Sequence, residues 1–277
     1  MKSSSILGYI FLIMASMLKA QTVEVGVLGG MMAYQGDLTP SGIGGLLGQS
    51  QIAGGAFIHI NLHPMVALQG QVMLGTLRGD DQKGSVGQRS RNLHFRSPLV
   101  EYGLRAYVYP FRINIGVAEI KPFAGLGLAR FHFNPRAEYN GAWVDLQPLS
   151  TEGQGLQENR PVYTLTDFAI PVVGGAKWKI NDQWTMSAEL VSHITFTDYL
   201  DDVSTTYPDY NLLQAQRGAI AVALSDRSPE LGSTTMRPPG SARGNAKKDD
   251  WFVTVELKLA YNLSTNARNK VRCPDFN

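Results

Sequence analysis

The sequence predicts an all-β fold, an eight-stranded antiparallel transmembrane β-barrel with long extracellular loops and short periplasmic turns. Three observations carry that expectation. Apolar and polar residues alternate with period two through most of eight segments, each near the ~9–11 residues that a tilted strand needs to cross a bilayer. The links between segments are alternately short and long, as in outer-membrane barrels. The chain of 277 residues is 44% hydrophobic and 17% charged, with 29 glycines; soluble proteins carry roughly 25% charged residues.

Before the first strand, "MKSSSILGYIFLIMASMLKAQT" sets Lys2 ahead of an apolar stretch from Ile6 to Met17. Residues 1–20 are read as a secretory signal peptide cut after Ala20, because the stretch is short of the ~20 apolar residues of a spanning helix. Export to the cell outer membrane follows, with 21–263 as the barrel. A net charge of +2 supplies no basic field for nucleic acid.

The first segment, "VEVGVLGGMMAYQG", alternates poorly because glycine interrupts it, and so does the fifth, "KPFAGLGLARFHF". Both are still expected as strands, since glycine marks bends or close packing in small barrels. In the second, Ala56, Ile58, Ile60 and Leu62 oppose Phe57, His59 and Asn61; in the third, Val66, Leu68, Val72 and Leu74 oppose Gln69 and Gln71. The fourth sets Val100, Tyr102, Leu104, Ala106 and Val108 against Glu101, Arg105 and Tyr107. The sixth sets Phe168, Ile170, Val172, Ala176, Trp178 and Ile180 against Asp167, Lys177 and Lys179. In the seventh, Trp184, Met186, Leu190, Ile194 and Phe196 share a face opposite Glu189 and His193. The eighth, "WFVTVELKLAYN", is the cleanest, with Trp251, Val253, Val255, Leu257 and Leu259 against Thr254, Glu256 and Lys258.

Short links fall at His63-Pro64, at 110–119 and at 181–183; long ones cover 37–50, 79–92, 134–162 and 199–249, the last with a short helix over 212–224. The apolar faces are continuous and bulky, so they are expected to meet lipid. The charges then meet inside, where Glu101, Glu189 and Glu256 balance Arg105, Lys177 and Lys258, with His193 beside them, as an interior polar network. Turning a Lys to the bilayer midplane would cost about 2–4 kcal/mol, which fixes the register. Trp178 and Trp184 at one level and Trp251 at the other suit interfacial girdles.

The wording "GMMAYQGDLTP", "RFHFNPRAEYNGAWVDLQPLSTEGQGL", "TFTDYLDDVSTTY" and "ALSDRS" resembles the PorG family of outer-membrane barrels in the Bacteroidota type IX secretion machinery. The resemblance covers nearly all of the mature chain. It implies a non-enzymatic component of a protein-export and gliding apparatus, contacting a periplasmic ring of a PorK-like lipoprotein and a PorN-like partner, and it carries over no catalytic residues.

The residues themselves offer little chemistry. His94, His132 and His193 lie near Ser90, Ser97 and Asp198, but no spacing singles out a nucleophile and base. The acidic group Asp198, Asp201, Asp202 and Asp209 lacks the calcium-loop pattern and its Gly, and is expected to pair with Arg217 or Arg227 at a loop rim. "GLGLAR" at Gly125 lacks the Lys-Ser/Thr of a phosphate loop and is strand glycine. No catalytic site, cofactor or metal is expected, and eight strands leave too little lumen for a porin. The runner-up is an outer-membrane enzyme or small-solute barrel of the same architecture. An even strand count returns the tail, 264–277, to the periplasm. There Arg268, Lys270 and Arg272 precede the single cysteine, Cys273, and the expectation is an intermolecular disulfide with the ring lipoprotein.

Overall fold

The computed structural model describes residues 22–39, 48–116 and 118–264. The expected signal segment, and the tail with Arg268, Lys270, Arg272 and Cys273, lie outside the described residues. Eight long strands form the barrel: β1 Thr22–Gln35, β2 Gln51–His63, β3 Val66–Asp80, β4 His94–Val108, β5 Ala118–Phe133, β6 Thr166–Lys179, β7 Trp184–Thr195 and β8 Trp251–Asn262. Each pairs antiparallel with the next, and β8 returns to β1 with Val27 opposite Leu259. Closure leaves no open edge, so every strand's backbone finds partners within the sheet.

Side-chain direction follows the alternation. Leu104, Leu128, Leu190, Val255 and Leu257 point outward and are exposed, while Glu101, Arg105, Glu189, Glu256 and Lys258 are buried inside. The exposed apolar residues continue around the barrel through Val27, Ile58, Leu68, Val72, Leu126 and Val172. Soluble monomers rarely expose apolar patches beyond a few hundred Å², and hydrocarbon is the solvent this belt fits. Trp184 stacks edge-on against Tyr261 at the short-turn end, and Trp251 is exposed at the other, the two levels of an interfacial girdle. Among the described residues no helix is long and apolar enough to cross a membrane.

The fifth strand and the first owe their irregular alternation to packing. On the first strand a Cβ at Gly30 would overlap the carbonyl oxygen of Val255 and one at Gly26 would strike the Phe57 ring; on the fifth, one at Gly127 would overlap the carbonyl oxygen of Leu104. Glycine lets neighbouring backbone and inward rings approach closely enough for a barrel this small to fill its own interior.

The interior is layered rather than ionic throughout. Next to the short turns, Tyr107, Tyr109, Phe123, Val173 and Val191 form one apolar cluster. The ionic groups come next. Towards the loops, Met32, Phe95, Leu99, Phe131, Phe133 and Phe252 begin a larger core that runs up into Leu146, Leu200, Val203 and Leu224 of the loops. The long connections therefore fold down as a cap that shares one core with the barrel. Within them, Arg136–Tyr139 pairs with Ala142–Asp145 as a hairpin. The expected single helix over 212–224 is two, α1 Tyr210–Arg217 and α2 Ala219–Ser225, broken at Gly218, whose φ of 87° belongs to the left-handed region.

Candidate functional site

The central layer grows from β4, β7 and β8, whose inward positions all carry charge at one height. Glu189 and Glu256 are direct cross-strand partners, a like-charge pairing that is unfavourable unless bridged. Two cations bridge it. Lys258 Nζ lies 2.7 Å from Glu189 Oε2 and 3.2 Å from Glu256 Oε2, and Arg105 donates to Glu256 Oε1 and Oε2 at 3.2 and 3.3 Å. Arg105 also reaches Glu101 and Glu189, each at 3.5 Å. His193 Nδ1 sits 2.7 Å from Glu101 Oε2, its ring stacks on Phe252, and its Nε2 meets Thr254, whose hydroxyl donates to Glu256. The Tyr107 hydroxyl donates to Glu189 at 3.2 Å. Each carboxylate in this layer has a cation or the His193 ring within 3.5 Å, the condition under which buried charge is tolerated, while Arg105 Nε is left without a hydrogen-bond partner.

Six of the seven residues expected in the interior network thus meet in one layer; Lys177 does not. Its Nζ lies 2.8 and 2.7 Å from the two carboxylate oxygens of Glu24. The reason is register: Lys177 pairs across to Ser187, whereas Gly175 is opposite Glu189, so Lys177 sits two residues nearer the short turns. The sequence carries no clear signal for Glu24, because the glycine-broken first segment obscures which of its residues point inward. Gln69, Gln71, His59 and Tyr107 complete the polar interior, and His59 holds Gln69 on one side and Tyr109 on the other. The void at this level, between Phe57, His59, Phe123 and Lys258, is about 10 Å³, room for a water at most.

Below it, the short-turn end opens into a polar cleft of about 410 Å³ lined by Glu24, Tyr109, Arg112, Glu119, Lys121, Lys177, Lys179 and Asp182. Its charges are paired at the rim: Arg112 and Lys121 share Glu119, and Lys179 meets Asp182 at 2.5 Å. That hydrogen bond from Lys179 holds the Asp182 carboxyl below its usual range.

At the loop end the cap is organised by buried ions. Arg243 donates to Glu152 at 3.1 Å and to the Asp202 carbonyl at 2.6 Å, while Glu152 accepts from the backbone of Ser204 and Thr205. Asp202 accepts from Tyr163 at 2.7 Å and from Thr151. Arg91 makes a two-pronged contact with buried Asp81 at 2.8 Å on both prongs. The Tyr34 hydroxyl stands 2.6 Å from Asp201 and 2.9 Å from Asp250. One phenol proton serves only one of these, so the close pair calls for a proton on a carboxyl as well. Burial pushes Asp201 and Asp250 well above the usual carboxylate range, with Asp37 beside Asp201 adding to the shift. Burial also raises Asp202 to about 6, against the pull of Arg243, and Asp198 to about 7.

Neither Arg217 nor Arg227, the expected partners, pairs with the acidic group. Arg217 reaches Ser150, and Arg227 binds Glu230, His94 and the Glu138 carbonyl. Asp202 takes Arg243, and Asp209 caps α1 through the Asn211 and Leu212 amides. Chain folding across some 40 residues decides these partners, and local spacing carries no trace of it. Among the described residues no group of three or more His, Cys, Asp or Glu is placed to hold a metal ion. The histidines are dispersed: His94 lies under Arg227, His132 meets Thr166, and His193 is in the central layer. Ser97 accepts from the Asn134 amide and Ser90 donates to the Gly87 carbonyl, so neither is set against a histidine.

A family model described as "Domain of unknown function (DUF6089)" matches residues 4–220. No curated protein matches the sequence. Among solved structures, the chain is similar to the N-terminal β-barrel domain of Pseudomonas aeruginosa OprF, at 11% identity over 87% of this chain and 97% of that one, with a TM-score of 0.37. It is similar also to Neisserial surface protein A, at 7% identity over 88% and 100%, TM-score 0.39. Ail, the attachment invasion locus protein of Yersinia pestis, gives 9% identity over 88% and 97%, TM-score 0.35.

Proposed function

The chain belongs to the DUF6089 family and forms a sealed, lipid-facing barrel, and from that premise we propose that it is a non-enzymatic anchoring component of the type IX secretion and gliding machinery in the outer membrane. The observation that carries this reading is the filled interior. An ionic layer and two apolar clusters fill the barrel above the short-turn cleft, so no channel runs through it and binding falls to its surfaces, the short-turn end among them. Its resemblance to the PorG family supplies the partner class, a periplasmic ring of PorK-like lipoprotein and PorN-like protein. The cleft at the short-turn end, with Arg112, Lys121 and Lys179 at its rim, is the described surface that faces the periplasm.

Affinity capture of the full chain from native membranes, with crosslinking and mass spectrometry, tests the reading. Ring proteins are expected among the crosslinked partners, and Lys121→Glu with Lys179→Glu is expected to lower their recovery. Recovery of no periplasmic partner, from membranes in which the barrel is folded, would overturn it. The Cys273 disulfide is tested in the same preparation: a heavier, reducible band is expected from the natural chain and none from Cys273→Ser.

A further inference from the structure

Three arginines stand side by side on the outside of the barrel. Arg78 on β3 is the direct cross-strand partner of Arg96 on β4, and Arg96 is the direct partner of Arg136 in the outer hairpin. All three share the outward face: their sequence neighbours Leu77, Phe95, Ser97 and Ala137 are buried in the interior. Adjacent strands lie ~4.8 Å apart, so three guanidiniums span about 10 Å along one row. Like charges directly opposite one another destabilise a sheet, and here the pattern occurs twice in succession.

The protein's own acids compensate part of this row. Asp145 meets Arg136 at 2.6 Å, and Asp80 lies 3.8 Å from Arg78. Among the described residues Arg96, in the middle, has no carboxylate partner; its guanidinium lies 6.0 Å from the centre of the Trp143 ring. Trp143 is itself 45% exposed. Descending the strands from the row, the outward positions turn apolar, through Leu74 on β3 and Tyr102 and Leu104 on β4. The row therefore lies where the strands leave the hydrocarbon belt on the loop side, with an aromatic ring at the same level, which is headgroup depth.

We propose that Arg78, Arg96 and Arg136 bind the phosphates of a phosphorylated glycolipid in the outer leaflet, with Trp143 against its sugar and its acyl chains on the belt below. This rests on the reading of the apolar belt as lipid-facing. Guanidinium pairs with phosphate through two parallel hydrogen bonds. One phosphate takes Arg96, which no acid compensates, and a second shares a flanking guanidinium with Asp80 or Asp145, where a single phosphodiester would meet Arg96 alone.

The test uses the full mature chain folded in detergent micelles and titrated with diphosphorylated lipid A, the same lipid dephosphorylated, and phosphatidylglycerol, with retained lipid counted by native mass spectrometry. The diphosphorylated lipid is expected to bind at least about tenfold more tightly than either comparison, with affinity falling as salt rises. Arg96→Gln is expected to lose about tenfold, and the triple Gln variant to lose the preference altogether. The triple Arg→Lys variant, which keeps charge without the fork, is expected to fall between. Equal retention of the dephosphorylated lipid or of phosphatidylglycerol, or a triple Gln variant that folds and binds like the natural chain, overturns the proposal. A chain that stays folded and monomeric in plain buffer would instead overturn the lipid-facing reading beneath it.

Discussion

Arg105 is the residue on which the central layer turns, since its guanidinium alone touches all three of Glu101, Glu189 and Glu256. Arg105→Met leaves those carboxylates to Lys258 and His193, an uncompensated buried charge that costs about 3–5 kcal/mol. Urea unfolding in detergent micelles is expected to show that loss, and Glu256→Gln added to Arg105→Met is expected to return part of it. Lys177→Met should cost less, because its partner Glu24 lines the open cleft at the short-turn end and also accepts from Asn61 and Thr185.

The strands make a comparable prediction at two adjacent glycines. Gly30 faces inward, where a Cβ meets the Val255 carbonyl; Gly29 faces outward, with nothing within 4 Å of the same atom. Gly30→Ala is expected to destabilise the barrel by about 1–3 kcal/mol, the usual cost of overpacking, and Gly29→Ala to stay within about 0.5 kcal/mol of the natural chain. The heat-modified mobility shift of folded barrels on gels reads both. Strands β3 and β4 also extend beyond the apolar segments that the sequence marks, because their last outward positions carry Arg78 and Arg96 in place of the apolar side chains that reveal a membrane strand.

For the molecule as a whole, the loop cap is expected to loosen as pH rises. Asp202 has a folded value of about 6 against 3.8 for its ordinary value, so the folded state binds the proton more tightly. Its contribution is fully present below about pH 4 and is lost as pH rises through about 6. Asp198 shifts the same way to about 7, and Asp201 and Asp250 share the direction. The groups facing them are Arg243, Tyr163 and Thr151 at Asp202, and Tyr34 with Asp37 at Asp201. Protection factors at the Leu200 and Val203 amides, which bond to Asp250 and Asp201, are expected to fall from about pH 5 to about pH 8, beyond the rise of intrinsic amide exchange with pH. Asp201→Asn is expected to flatten the change. With an interior void of about 10 Å³, planar bilayers holding the barrel are expected to show no discrete conductance steps, and steps that persist in the purified protein would contradict a sealed interior.

The eight strands, the length asymmetry of their links and the outward turn of the apolar face were legible in the sequence, because period-two alternation is a local property and a one-residue slip would put Lys258 into lipid. The meeting of Glu101, Arg105, Glu189, His193, Glu256 and Lys258 follows from that alternation plus similar depth along three strands. What the tertiary structure alone decided is everything set by distance in sequence: Lys177 paired with Glu24, 153 residues away, Asp202 with Arg243 in place of Arg217 or Arg227, and Arg78, Arg96 and Arg136 aligned in one row. Alternation tells a side chain which face it occupies; register and loop closure, which depend on contacts between remote segments, tell it which neighbour it meets.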